Sequence, residues 1–375
     1  PGEPNAYLLQ AFRNTQEVRE RASVASERKN RSLVLGALSL AVLLLLYGAY
    51  VGRRPPPPVT GPEAAAVDPQ FRLTLLAGGQ LLLHDRAGIG RGEVDISTLG
   101  VTTLSPPLAY GPDGRLFALA TMTGEAEPAI VRCRIEADGC QLFYRTTQSQ
   151  RITQLAPHPI SGELFLIDSA GGELLKLDSE GAVSSRARLK LPADPVIRPE
   201  SGLLFTSSPL GAAISVLRYE ASAFGDQLDE VLLLPPGTAG REHNRVTDFV
   251  YSGNSWWVAL ADDASGSAGL YRFDSQWNHL GRVPLEGGRR PGQLLNWGDK
   301  TLLYDRHHLS ILRYADSGRA EVPLQSDLLQ AMAQRQEQVR WLYSTAWQVV
   351  LVLALLGTAA GFGYAFLNAA RGLVY

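Results

Sequence analysis

Adjacent histidines in LLYDRHHLSILRY, His307 and His308, form the densest imidazole site in the chain. A metal would need both rings on one side, whereas neighbours in a strand point to opposite faces. The pair suits a turn between strands, in a structural or solvated role. Asp262-Asp263 in LADDASGSAG could hold a cation, although Asp also builds turns through its own side chain, which is the plainer reading. Cys133 and Cys140, the only cysteines, flank a turn at Ala137-Asp138-Gly139 between two strand-like runs. A cross-strand disulfide suits this placement; two buried thiols are the alternative. Trp256-Trp257 would place one indole toward the core and the other toward solvent or a neighbouring unit, where an exposed Trp could anchor a partner. The chain lacks HExxH, GxSxG and Walker patterns, and no cofactor is expected. The stretch HPISGELFLIDSAGGELLKLDSEG (158–181) gathers carboxylates near His158, and its meaning depends on the elements that carry it.

Those elements recur. GQLLLHD (79–85), GRLFALA (114–120), GELFLID (162–168), GLLFTSS (202–208), NSWWVALAD (254–262) and DKTLLYD (299–305) are related strand-like runs, beginning 35 to 52 residues apart. Turn sequences such as GPDG, HPISG, RPESG, YSGN and NWGD precede five of them. A second apolar run follows each loop, as in ELLKLDSEG and LSILRYADSG, and a third closes several units, as in SSRARLKL, DEVLLLP and RAEVPL. Periods of this size with about four strands per unit indicate propeller blades. The units at 162–181 and 269–283 resemble NHL-type β-propeller repeats, in which a strand ending in Asp, a turn, a strand ending in aromatic-Asp and a Gly turn follow one another. The resemblance spans roughly 68–325 and implies an all-β ring of six four-stranded blades, or seven if 218–250 hides a further unit. It implies no single chemistry, because the architecture hosts enzymes and scaffolds alike. Ring closure is expected between the strand near 71–77 and the run near 321–324.

Two charge-free apolar runs flank this domain, 32–52 and 341–370. Each exceeds the roughly 20 residues a membrane helix needs. The first is longer than a signal-peptide core and lacks a small-residue cleavage site, so it reads as an uncleaved anchor. Arg and Lys are concentrated in residues 1–31, which places both termini in the cytoplasm and 53–340 outside. The expected order is a basic amphipathic segment (1–31), a first span (32–52), a Pro-rich linker (53–67), the propeller (68–325), a juxtamembrane helix from an N-cap at Ser326 (326–340), a second span (341–370) and a short tail (371–375). Gly357 and Gly361 form a small-residue packing motif, which Gly48 and Gly52 repeat in the first run. Trp341, Tyr343 and Trp347 suit the membrane interface.

Net charge is −2, so no field points to nucleic acid. The short cytoplasmic parts leave no room for an output domain. The sequence therefore reads as a non-enzymatic accessory or scaffold subunit of a bacterial inner-membrane complex, with a periplasmic propeller. Its partners would be other integral membrane proteins and the lipid bilayer, with a second copy of the chain also possible. The alternatives are a membrane-tethered propeller hydrolase or lyase, and a periplasmic binder of glycan or a small ligand.

Overall fold

The computed structural model describes residues 62–136, 139–233, 244–262, 267–285, 291–305 and 310–372, with 13–18, 21, 36, 39, 42–44, 46–47 and 50. Short apolar runs punctuated by Gly, Asp and Pro fold as successive antiparallel hairpins. Blade 1 comprises β1 (Ala64–Val67), β2 (Leu73–Ala77), β3 (Gln80–His84) and β4 (Gly90–Asp95). Blade 2 comprises β5 (Val101–Tyr110), β6 (Leu116–Met122), β7 (Pro128–Arg134) and β8 (Gly139–Arg145). Blade 3 holds β9 (Ile152–Pro157), β10 (Leu164–Asp168), β11 (Glu173–Leu177) and β12 (Val183–Arg188). Blade 4 holds β13 (Ile197–Glu200), β14 (Leu203–Ser207), β15 (Ala213–Arg218) and β16 (Gln227–Leu232). Blade 5 is built from β17 (Asn244–Ser252), β18 (Ser255–Asp262), β19 (Ser267–Phe273) and β20 (His279–Val283). Blade 6 has three strands, β21 (Gln293–Trp297), β22 (Lys300–Asp305) and β23 (Ser310–Ala315). The first strand of each blade lies beside the first strand of the next, and β21 returns to β1. The fold is thus an all-β six-bladed propeller, with 218–250 supplying β16 and most of β17 rather than a seventh unit.

Central strands such as β10 are buried along their whole length, because neighbouring blades cover both faces. Outer strands such as β12 alternate between exposed and half-buried residues. One apolar cluster fills each junction: Leu116 and Val131 between blades 1 and 2, for example, and Leu302 and Tyr304 between blades 6 and 1. The recurring Asp closes turns. Asp68, Asp85, Asp178 and Asp274 each accept the backbone N–H groups two and four residues on, at 2.8–3.0 Å. Gly181 follows one such turn at φ +88°, where a Cβ would fall 2.0 Å from the Phe143 carbonyl oxygen of blade 2. In the 158–181 stretch, Asp178 closes such a turn, Asp168 accepts Arg151 N–H at 2.8 Å, Glu163 pairs with Lys176 at 2.9 Å and Glu173 with Arg186 at 3.5 Å, all contacts within blade 3.

Three expectations need correction. GQLLLHD is the third strand of its blade, β3, whereas the other five related runs are second strands. The propeller begins earlier than residue 68, because the Ala-rich run at β1 pairs with β2 over Ala64–Leu76 to Val67–Leu73. Small side chains suit an innermost strand, where six backbones converge. The run at 321–324 does lie against blade 1 through Leu324, but the ring is closed by side chains between β1 and β21.

The chain forms two units, Val59–Arg335, and Pro1–Pro58 with Gln336–Tyr375. One helix, α1 (Asp327–Gly372), runs through both without a break at 340. Ser326 caps it, its Oγ accepting the Leu329 N–H at 3.4 Å and its carbonyl accepting Gln330 N–H at 2.9 Å. Among the described residues no helix is long and apolar enough to cross a membrane, so the two flanking spans lack support there. The charge-free run includes Tyr343, Ser344, Ala346 and Phe362, whose side chains lie outside the description. In the second unit, Ala354 is fully buried and Trp347, Val350, Leu351, Thr358 and Gly361 are half-buried, which traces one helical face. Val349, Val352, Leu353, Leu355 and Leu356 are each more than half exposed.

Candidate functional site

The six innermost strands enclose an axial pocket of about 400 Å³ at the end where β1, β9, β13, β17 and β21 begin. Its polar lining comes chiefly from four strands: Gln154 on β9, Arg198 on β13, Thr247 and Asp248 on β17, and Gln293 on β21. Each of Gln154, Arg198, Asp248 and Gln293 sits next to a buried apolar residue that faces a blade junction, so strand alternation turns the polar one to the axis.

These groups form a chain of bonds across blades. The Arg198 guanidinium meets Asp248 with Nη2 to Oδ1 at 2.8 Å, and donates from Nε to the Phe249 carbonyl at 3.0 Å and from Nη1 to the Ile197 carbonyl at 3.0 Å. Asp248, itself buried, also accepts Phe249 N–H at 2.8 Å and, through Oδ2, Leu294 N–H at 2.7 Å. Gln293 then spans to the first blade, its Oε1 accepting Ala65 N–H at 3.2 Å and its Nε2 donating to the Ala65 carbonyl at 2.8 Å. Blades 4, 5, 6 and 1 are thereby stitched at the axis. Trp297 Nε1, donating to the Phe71 carbonyl, and Tyr304 Oη, donating to the Pro62 carbonyl at 2.7 Å, add to the same seam.

The pocket therefore presents two guanidinium groups, Arg198 and the half-exposed Arg245, while its buried carboxylate is occupied by donors. Arg245 lies 3.7 Å from the exposed Asp194. Such a lining, in which each guanidinium already faces a carboxylate, can hold a small polar ligand. Among the described residues no group of three or more His, Cys, Asp or Glu is placed to hold a metal ion.

Cys133 and Cys140 are bonded, directly opposite each other in the β7–β8 pair with Cα atoms 4.0 Å apart. Trp256 and Trp257 are both buried, at 3% and 0% exposure, and neither is available to a partner. Alternation sends Trp256 into the junction with blade 4, stacked on Trp277 at 4.6 Å, and Trp257 into the junction with blade 6 beside Tyr314. His158 stacks on Tyr219 at 5.7 Å and accepts Ser161 N–H at 3.0 Å, a junction contact between blades 3 and 4. Asp262 pairs through its backbone with Asn244 and Ser267, and its side chain lies outside the described residues. His307, His308, Asp263, Gly48 and Gly52 also lie outside them. Trp341 is exposed and Trp347 half-buried, while the Tyr343 side chain is not described. Gly361 lies on the covered face of α1, and Gly357 is exposed. None of the residues singled out in the sequence lines the axial pocket. The signal for it is a polar residue inside the otherwise apolar first strand of a unit, as in ITQLAP, VIRPE, VTDFV and GQLLNW.

No family model matches the chain, and no curated protein matches it. Solved structures do. Virginiamycin B lyase from Staphylococcus aureus is 15% identical, covering 71% of this chain and 84% of that one, with a TM-score of 0.48. The periplasmic gluconolactonase of Pseudomonas aeruginosa is 15% identical over 70% and 84%, with a TM-score of 0.47. The tricorn protease is 16% identical over 72% of this chain and 26% of its own, with a TM-score of 0.50. At these identities what is shared is the propeller fold, and NHL-type membership is not established.

Proposed function

We propose that the chain is a membrane-tethered, non-catalytic binding subunit, a periplasmic propeller of NHL-like repeats held in a bacterial inner membrane as part of a larger complex. The observation that carries this reading is the apolar surface of α1. Val349, Val352, Leu353, Leu355 and Leu356 are all more than half exposed within a run that carries no charge from residue 341 to 370. Apolar side chains left in water forgo about 1.5–3 kcal/mol each, so lipid or partner helices are the fitting cover. The covered face through Ala354, Thr358 and Gly361 supports close helix packing by small residues. The test is fractionation of cells expressing the full chain, followed by purification in mild detergent. The reading requires the chain to stay with membranes through alkaline carbonate and to bring a second membrane protein with it. Recovery in the soluble fraction, or as a lone monomer, overturns it.

The axial pocket favours a second reading, a tethered hydrolase or lyase acting on a small polar substrate. Turnover abolished by Arg198→Ala in a correctly folded chain would support that reading over the first.

A further inference from the structure

A second cavity, of about 290 Å³, lies away from the axis between blades 1 and 2. Its charged wall is made of Asp68, Arg72, Arg91, Asp113, Arg134 and Glu136. Arg72 reaches Asp68 Oδ2 with Nε at 2.6 Å and Glu136 Oε1 with Nη1 at 2.5 Å. Arg91 pairs with Asp85 at 2.9 Å, and Asp113 with Arg115 at 3.2 Å. Deeper in, the Tyr110 hydroxyl meets Thr74 Oγ1 at 2.7 Å; burial pushes this phenol up to about 12, so it keeps its proton. His84, 1% exposed, also lines the cavity; its Nε2 is 2.9 Å from Ser326 Oγ, while its buried Nδ1 has no hydrogen-bond partner. Leu73, Leu83 and Ile135 supply apolar wall.

An anion entering this cavity would compete with carboxylates already seated on Arg72 and Arg91, and a cation would compete with the arginines. A neutral molecule with adjacent hydroxyls does neither. Each hydroxyl can accept from a guanidinium and donate to the paired carboxylate, because it is both donor and acceptor. The apolar wall then meets the C–H face of a sugar ring. We propose that the cleft between blades 1 and 2 is a saccharide-binding site, read by the Arg72–Glu136 pair and the Tyr110 hydroxyl.

The test is saturation-transfer NMR and calorimetry on the full chain in a detergent without a sugar headgroup, with maltose and N,N′-diacetylchitobiose as probes. At least one sugar is expected to bind. Glu136→Gln, at an exposed position, and Tyr110→Phe should each weaken that binding about tenfold, the loss expected for one hydrogen bond to a charged or buried group, with thermal unfolding of Glu136→Gln unchanged. No binding of either sugar overturns the proposal. So does binding that both variants leave intact, which would move the site to the axial pocket, and so does saturation by phosphate or acetate in place of sugar.

Discussion

Blades 3 and 6 start from the same pattern and finish differently. GELFLID and DKTLLYD both become central strands, β10 and β22, buried along nearly their whole length. Blade 3 then completes itself, with β12 pairing β11 from Glu173–Arg188 to Leu177–Val183. Blade 6 stops at β23 and gains only an isolated bridge, Tyr314–Ala320. Glu321 N–H still bonds the Arg313 carbonyl at 2.8 Å. The next donor in an antiparallel ladder would be residue 323, which is Pro and has none. Leu324 N–H reaches the Ile311 carbonyl instead, at 2.9 Å. The lost ladder is replaced by side chains. The Glu321 carboxylate lies 2.8 Å from Lys300 Nζ and 3.1 Å from Arg313 Nε, and Leu324 packs with Leu73 and Tyr304. A blade's outer edge can thus be held by one ion cluster and one apolar contact, leaving the chain free to turn into α1.

The largest effect should come from the axis, where blade 6 depends on its neighbours most. Asp248→Ala strips the acceptor from Arg198, Phe249 N–H and Leu294 N–H, and breaking one side of a buried pair costs about 3–5 kcal/mol. Denaturant unfolding should read that loss, and amide exchange should rise in β21–β23 before β9–β12. Equal opening of both blades would erase the contrast. Next, Leu324→Ala should cost about 2–3 kcal/mol as a buried large-to-small change. Val183→Ala on the exposed outer strand of blade 3 should stay within about 0.5 kcal/mol. Within blade 6, Glu321→Gln should cost less than Leu324→Ala, about 1 kcal/mol near neutral pH. The hydrogen bond from Lys300 holds the Glu321 carboxyl below its ordinary value. Its contribution is therefore full above the unfolded carboxylate range and is lost as pH falls through the folded pKa. Stability curves of the wild type and Glu321→Gln should converge on the acid side; parallel curves would show that the ion cluster does not hold the edge.

Central strands, the disulfide and the Ser326 cap are legible because each has a local signature: an apolar run after a Gly-containing turn, two cysteines across a turn, a Ser before a helical period. Blade 1 was misaligned because GQLLLHD carries the same Gly entry and Asp exit as true second strands. Its β1 was hidden because an Ala-rich run beside prolines looks like linker. The axial pocket was illegible for another reason. Gln154, Arg198, Asp248 and Gln293 are single polar residues dozens of positions apart, and only ring closure brings them together. The blade 1–2 cleft is likewise a product of assembly, since Tyr110 and Glu136 belong to blade 2 and Arg72 to the β1–β2 turn of blade 1.

One consequence follows from how the ring is sealed. Among the described residues no sheet borrows a strand from the far end of the propeller: each blade is built from strands consecutive in the chain, and blades 1 and 6 meet through Gln293, Trp297 and packed side chains. Nearly all pairing is between strands adjacent in sequence, a topology that favours rapid, blade-by-blade folding with a single long loop closure at the end. Circular permutants of Val59–Arg335 opened between any two blades should therefore assemble the same six sheets, because no β-ladder has to be cut to make the new ends.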